Sequence, residues 1–201
     1  MYITKIELNK NNDIVKEILR DVNKLHKFVW KFFEDMTDFC VTRESIALLY
    51  RVMFNGDKIF LIMQSKVKPN NPISEDMGTE IYCVTDEIMK KRLQSMNTVR
   101  FNILVNPVME IEKRKRVYIK NRADRFAWFN NYASKNGFEV VEITELSSES
   151  VTGRKGNMTI SYGASEMMGV LKITDFDKFY ALVERGMGRE KAYGLGLFIF
   201  G

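Results

Sequence analysis

His26, with Lys24, Lys27 and Lys31 around it, is the set of residues best suited to acid–base work on an anionic substrate. Histidine is the side chain whose unperturbed titration falls between pH 5 and 8, and these 201 residues contain one. Ammonium groups beside it could hold a phosphate while the imidazole moves a proton. The blander use of such a histidine is to cover the edge of a helix, and the residue types alone leave both uses open.

A second candidate is the stretch Gly186-Met187-Gly188-Arg189-Glu190-Lys191-Ala192-Tyr193-Gly194-Leu195-Gly196. Glycines at 186, 188 and 194 leave backbone amides unshielded, and Arg189 and Lys191 add cations, so an anion could approach closely. G-x-x-x-x-G-K-[ST] is absent, and G-x-G-x-x-G fails because position 191 is Lys. The stretch precedes an apolar strand instead of opening a helix, which argues against a dinucleotide fold. A glycine-rich hairpin with solvated charges is the alternative.

Two further segments are basic. One holds Lys113, Arg114, Lys115, Arg116, Lys120, Arg122 and Arg125, opposed only by Asp124; the other is the turn Thr152-Gly153-Arg154-Lys155-Gly156-Asn157. Such clusters either sit solvated on loops or track a phosphate backbone. The 31 Lys and Arg against 26 Asp and Glu leave a net charge of +5, a balance suited to nucleic acid or an acidic surface. One histidine with two separated cysteines, Cys40 and Cys83, makes no soft-ligand metal site of ordinary spacing, and no disulfide framework. No leader or long apolar run is evident, so a soluble cytoplasmic protein without metal or cofactor is expected.

The elements that must position these residues follow from periodicity. Residues 1–9 alternate as a strand. Asp21 is placed to cap a helix from Val22 to Asp35, whose apolar arc of Val22, Leu25, Phe28, Val29, Phe32 and Phe33 leaves His26 at the boundary and the three lysines on the far side. Strands are expected over Ser45–Phe54 and Lys58–Lys66, joined by Asn55-Gly56-Asp57. A loop over Lys68–Gly78, a short strand at Ile81–Val84 and a helical or irregular segment at Asp86–Ser95 complete the first half. The second half reads as a strand from Thr98 to Val105, a helix over Ala123–Asn136 ending at Gly137, and a strand at Phe138–Ile143. Strands at Met158–Tyr162 and Met167–Ile173, a helix capped by Thr174 or Asp175, and a last strand follow. The order of elements predicts an α+β chain of two tandem ferredoxin-like domains, 1–96 and 97–201, with the histidine in the first and the basic turn and glycine-rich loop in the second.

Met1-Tyr2-Ile3-Thr4-Lys5 with Leu8-Asn9, Leu25-His26, Asn106-Pro107, Lys115-Arg116-Val117 before Ala127-Trp128, Gly169-Val170-Leu171-Lys172-Ile173 and the glycine-rich stretch occur in order over nearly the whole chain. In these the chain resembles the CRISPR-associated endoribonucleases of the CasE family, which process precursor guide RNA in type I-E systems. The resemblance implies two ferredoxin-like domains, a repeat hairpin of CRISPR RNA as substrate, metal-free cutting assisted by a histidine, and a place beside other subunits in Cascade. It maps the catalytic histidine to His26, the stem-gripping basic hairpin to Arg154 and Lys155, and an RNA-flanking loop to the glycine-rich stretch. The family often has a tyrosine three residues before the histidine, where this chain has Asn23.

The chemistry so implied is attack of a 2′-OH on the adjacent phosphate, giving a 2′,3′-cyclic phosphate and a 5′-OH. His26 would be the general acid or base and Lys31 the second catalytic residue, one of the candidate phosphate stabilisers Lys27, Lys31 and Lys191, with Asn23 as a donor to the phosphate. Lys113, Arg114, Lys115, Arg116, Arg154 and Lys155 would hold the RNA backbone, and the free protein is expected to be a monomer with no membrane contact. Two other readings share the residues: an inactive RNA-binding scaffold of the same fold, and a metal-dependent nuclease built on Glu110 and Glu112, which lack the further ligands a two-metal site needs.

Overall fold

The computed structural model describes residues 1–34, 43–111 and 115–201, with only the backbone of Arg43, Glu44 and Lys155. In chain order the elements are β1 (Tyr2–Leu8), α1 (Asp13–Leu19), α2 (Val22–Trp30), α3 (Arg43–Ile46), β2 (Leu49–Asn55), β3 (Lys58–Ser65), β4 (Gly78–Thr85), α4 (Glu87–Ser95), β5 (Thr98–Val105), β6 (Val108–Ile111), β7 (Lys115–Tyr118), α5 (Arg122–Lys135), β8 (Phe138–Lys155), β9 (Met158–Ile173), α6 (Phe176–Arg185) and β10 (Phe198–Phe200). Short 3-10 turns lie at Lys31–Phe33 and Lys191–Tyr193. The chain divides into two compact units. The first is Met1–Glu87 with Thr152–Ser161 and Ala192–Gly194; the second is Ile88–Val151 with Tyr162–Lys191 and Leu195–Gly201.

In the first unit the strands lie in the order β2-β3-β1-β4, every neighbouring pair antiparallel. This is the strand order of a ferredoxin-like half. The alternation of Tyr2–Leu8 puts Thr4, Ile6 and Leu8 on the buried face. α2 covers that face with Leu25, Phe28 and Val29, joined by Val15 and Ile18 of α1 and by Phe32 and Phe33. The core is nearly dry: Val29 and Leu61 are 0% exposed.

Several expectations shift here. α2 is shorter than its apolar pattern suggested, because the chain tightens into the 3-10 turn at Lys31, and Asp35 lies outside the described residues. The strand expected from Ser45 starts at Leu49, since Ser45 and Ile46 close α3. Between β3 and β4 the crossover is made by loop 66–77, where a second helix would ordinarily sit. Periodicity does not reveal α1, because seven residues with two buried side chains are too few to show a period; Asn12 caps it, accepting from the N–H groups of Ile14 and Val15.

The second unit repeats the topology as β10-β5-β9-β8, with α5 and α6 as its crossover helices. Its core is aromatic: Phe101, Phe129, Phe138, Phe179 and Phe198 form a chain of stacked and edge contacts at 5.4–6.4 Å. A β6–β7 hairpin, absent from the sequence expectation, is inserted before α5. β8 continues to Lys155 and β9 is one strand from Met158, both longer than expected. Residues 144–151 are mostly polar and exposed, so hydrogen bonding to a neighbouring strand, and not burial, keeps them extended.

Arg125 belongs by sequence to the basic run, yet its side chain is 6% exposed and forms a two-pronged pair with Glu145 of β8, both N–O distances 2.6 Å. It also donates to the carbonyl of Ile119 at 3.1 Å. The hydrogen bonds from Arg125, opposed by burial, hold the Glu145 carboxyl below its ordinary range. Removing one partner would strand a buried charge. Arg125→Ala is expected to lower the unfolding free energy by about 3–5 kcal/mol in chemical denaturation. Because the folded value of Glu145 is depressed, its contribution is complete above about pH 4.3 and is lost as pH falls through the lower folded value. The acid limb of stability should flatten in Arg125→Ala.

Candidate functional site

α2 begins at Asp21, as the sequence indicated. Its carboxylate accepts from the N–H groups of Asn23 at 2.8 Å and Lys24 at 3.2 Å. The other carboxylate oxygen accepts from the backbone N–H of Arg154 at 3.1 Å, and the Asn23 side-chain amide donates to the Arg154 carbonyl at 2.7 Å. Both backbone groups of Arg154 are thus held by the first turn of α2. Burial opposes ionisation of Asp21, but the N–H groups of Lys24, Asn23 and Arg154 outweigh it and hold this carboxyl below the usual range.

The approach is close enough to need glycine at the preceding position. A Cβ on Gly153 would lie 2.7 Å from Val22 Cγ2 and 2.9 Å from the Asp21 carboxylate. Arg154 is exposed, so its backbone is fixed while its guanidinium faces solvent. The Asn23 amide, offered by the sequence as a donor to the phosphate, thus gives one of its two N–H groups to the chain itself.

His26 lies one turn further along α2, half-buried. Its ring meets Trp30 edge-on, centroids 6.4 Å apart at 86°, as expected for side chains about 40° apart around a helix. It also meets Tyr193 at 5.8 Å and 62°. The phenol comes from the 3-10 turn Lys191–Tyr193, 167 positions away, and no spacing rule could have paired the two. Two contacts fix that turn. Tyr50, buried in β2, donates its hydroxyl to the Ala192 carbonyl at 2.7 Å, and Gly194, at φ +86°, lies against the Tyr50 ring, where a Cβ would be 3.2 Å from Cε2.

The lysines occupy another side of α2. Lys24, Lys27 and Lys31 line a groove of about 620 Å³ whose floor includes Ile14, Ile18, Phe28 and Phe32 and whose far wall is Asn71–Ser74 with Met77. Lys24 is paired with Glu17. Lys27 and Lys31 are exposed, and the Lys31 carbonyl accepts from Asn71 at 2.7 Å. His26 does not line this groove.

The remaining sequence candidates fall in the second unit, except Lys155, whose side chain lies outside the described residues, as do Lys113, Arg114 and Glu112. Lys115 and Arg116 are exposed on β7, with Arg116 3.5 Å from Glu110 across the hairpin. Gly186 ends α6, its N–H bonded to the Leu182 carbonyl at 2.8 Å. Gly188 lies near Trp128 and Asn106. Lys191 donates to the Arg185 carbonyl at 2.9 Å, and Arg189 is exposed. Among the described residues no group of three His, Cys, Asp or Glu is placed to hold a metal, and no helix is long and apolar enough to cross a membrane.

A family model described as CRISPR associated protein matches residues 1–200. The chain belongs to that family. Membership agrees with the CasE resemblance carried by the motifs along the sequence. A CRISPR-associated endoribonuclease Cse3 from Thermus thermophilus is 20% identical over 211 residues, covering 98% of each chain. The solved structure of Thermus thermophilus Cse3 bound to an RNA representing a pre-cleavage complex superposes with a TM-score of 0.84 at 20% identity, over 100% of this chain and 98% of that one. A chain of a CRISPR RNA-guided surveillance complex, pre-nicking, gives 0.74 at 21% identity, over 100% and 99%. The two tandem ferredoxin-like folds of this CRISPR-associated protein are accordingly those of its structural relatives.

The clamp on Arg154 can be tested apart from activity. Asp21→Ala removes a helix cap and a bond to the hairpin tip, and should cost about 1–2 kcal/mol. It should also speed amide exchange at Arg154. Gly153→Ala should speed the same exchange with every hydrogen-bonding side chain still in place.

Proposed function

We propose that this chain is an endoribonuclease that cuts precursor CRISPR RNA at a repeat hairpin, without metal, using His26 as general acid or base. The 2′-OH attacks the neighbouring phosphorus, the 5′-oxygen leaves, and the products are a 2′,3′-cyclic phosphate and a 5′-OH. The observation that carries the reading is the half-buried imidazole of His26, held between Trp30 and Tyr193 one turn from the clamp that fixes Arg154, in a chain of the CRISPR-associated family. A half-buried imidazole is reachable by substrate yet fixed by its neighbours. General acid–base help of this kind contributes roughly 10²- to 10⁴-fold.

The RNA stem is gripped by charge laid along its backbone. We assign this grip to Arg154 and Lys155 of the 152–157 turn, to the run Lys113, Arg114, Lys115 and Arg116, and to Gly186, Gly188, Arg189, Lys191 and Gly194 of the glycine-rich stretch. A-form RNA hides its base edges in a deep groove, so phosphate and shape contacts dominate. Lys27 and Lys31, on the groove side of α2, hold phosphates of the chain leading to the cut. After cutting, the protein remains on the guide RNA as a subunit of a surveillance complex, as the named assembly of its structural relative suggests.

Incubation with a labelled repeat hairpin in EDTA tests this directly. The parent should cut and leave a cyclic phosphate end, whereas His26→Ala should bind equally well and not cut. Binding without cutting by either protein would make the chain a scaffold, and cutting that needs Mg²⁺ would move the reaction to carboxylates. Replacing Lys115 and Arg116 with Gln should weaken binding and reduce the slope of log K against log salt by up to about 1 per residue. His26→Ala should leave that slope unchanged.

A further inference from the structure

The reaction just proposed asks for more than one imidazole supplies. A bond forms from the 2′-oxygen to phosphorus, the bond from phosphorus to the 5′-oxygen breaks, and one proton passes from the 2′-OH to the departing oxygen. Meanwhile negative charge builds on a nonbridging oxygen, where a placed hydrogen-bond donor stabilises the transition state. His26 can move the proton. The side chain of Asn23, about one turn before it, spends one amide N–H on the Arg154 carbonyl at 2.7 Å, so its direction is set by the clamp and not by the phosphate.

Tyr193 touches the imidazole from the opposite end of the sequence, 5.8 Å between ring centroids. Its place is built. The residue before it is fixed through its carbonyl by the Tyr50 hydroxyl, and the residue after it is a glycine at positive φ packed on the same Tyr50 ring, itself 1% exposed. Two anchors on one buried tyrosine hold the backbone of Tyr193 while its side chain stays half-exposed beside His26. A phenolic hydroxyl can both donate and accept, and a ring carries it rigidly, with two torsions to fix.

We propose that Tyr193 is a further catalytic residue: its hydroxyl donates a hydrogen bond to a nonbridging oxygen of the scissile phosphate while His26 transfers the proton. The tyrosine keeps its own proton, so the step stays balanced, with the 2′-OH proton ending on the 5′-oxygen. This inference rests on the assignment of His26 above.

The test is single-turnover cleavage of a 5′-labelled CRISPR repeat hairpin RNA from the same genome, at saturating protein in EDTA, with Kd measured on the same RNA bearing a 2′-deoxynucleotide at the cut. Tyr193→Phe keeps the ring and its packing, and is expected to cut about 10²-fold more slowly with an unchanged Kd. Sulfur in place of the nonbridging oxygen should slow the parent more than Tyr193→Phe, because both changes weaken the same hydrogen bond. Cleavage by Tyr193→Phe at the parental rate, or a defect that vanishes at saturation, overturns the proposal. His26→Ala in the same series separates the two claims. If that variant is inactive and Tyr193→Phe is fully active, only the tyrosine assignment fails; if it cuts at the parental rate, the assignment of His26 fails and takes this one with it.

Discussion

The double hydrogen bond between the first turn of α2 and the backbone of Arg154 is the constraint on which the candidate site depends. Asp21 caps the helix and grips the strand with one carboxylate, so the position at which α2 starts and the position of the 152–157 turn are set together. A helix has a fixed twist per residue. Once its first turn is fixed, the direction of every later side chain follows, and His26 is directed toward Trp30 and Tyr193 while Lys27 and Lys31 look into the groove. The Arg154 guanidinium need not be buried for this: the clamp uses only the residue's peptide groups, and the residue is exposed.

A second buried polar contact follows the same economy. Arg125 and Glu145 are buried as a matched pair, with carbonyls of residues 119 and 120 taking further guanidinium protons. A lone charge there would be untenable. Neighbouring Lys115 and Arg116 have no such enclosure and stay in solvent, although in the sequence they and Arg125 look alike. The difference is the partner strand, which brings a buried Glu145 to α5, whereas on β7 Arg116 meets Glu110 at 3.5 Å with both side chains about half exposed.

The glycine-rich stretch, which suggested a phosphate cradle by composition, has firm structural duties. Met187, fully buried, donates its N–H to the Gly196 carbonyl at 2.9 Å, and the Gly196 N–H reaches the Leu104 carbonyl at 2.7 Å. The Lys191 ammonium donates to the carbonyl of Arg185, the last residue of α6, where the helix dipole favours a cation. What the stretch contributes beside His26 is the turn that presents Tyr193.

From the residues alone one could read the two-fold repetition of strand and helix order, the cap at Asp21, the boundary position of His26 on its helix, and the kinship carried by ordered motifs. These are local or periodic properties, legible because a helix buries every third or fourth residue and a strand every second. The folded chain decided what depends on residues far apart: that Asn23 faces Arg154, that Tyr193 faces His26, that Arg125 is buried against Glu145, and that β8 and β9 continue through polar stretches. The first three are contacts between residues 131, 167 and 20 positions apart. Periodicity says which face of an element is buried but not which distant segment buries it, and that pairing is settled only when both sheets close and each polar group finds its partner.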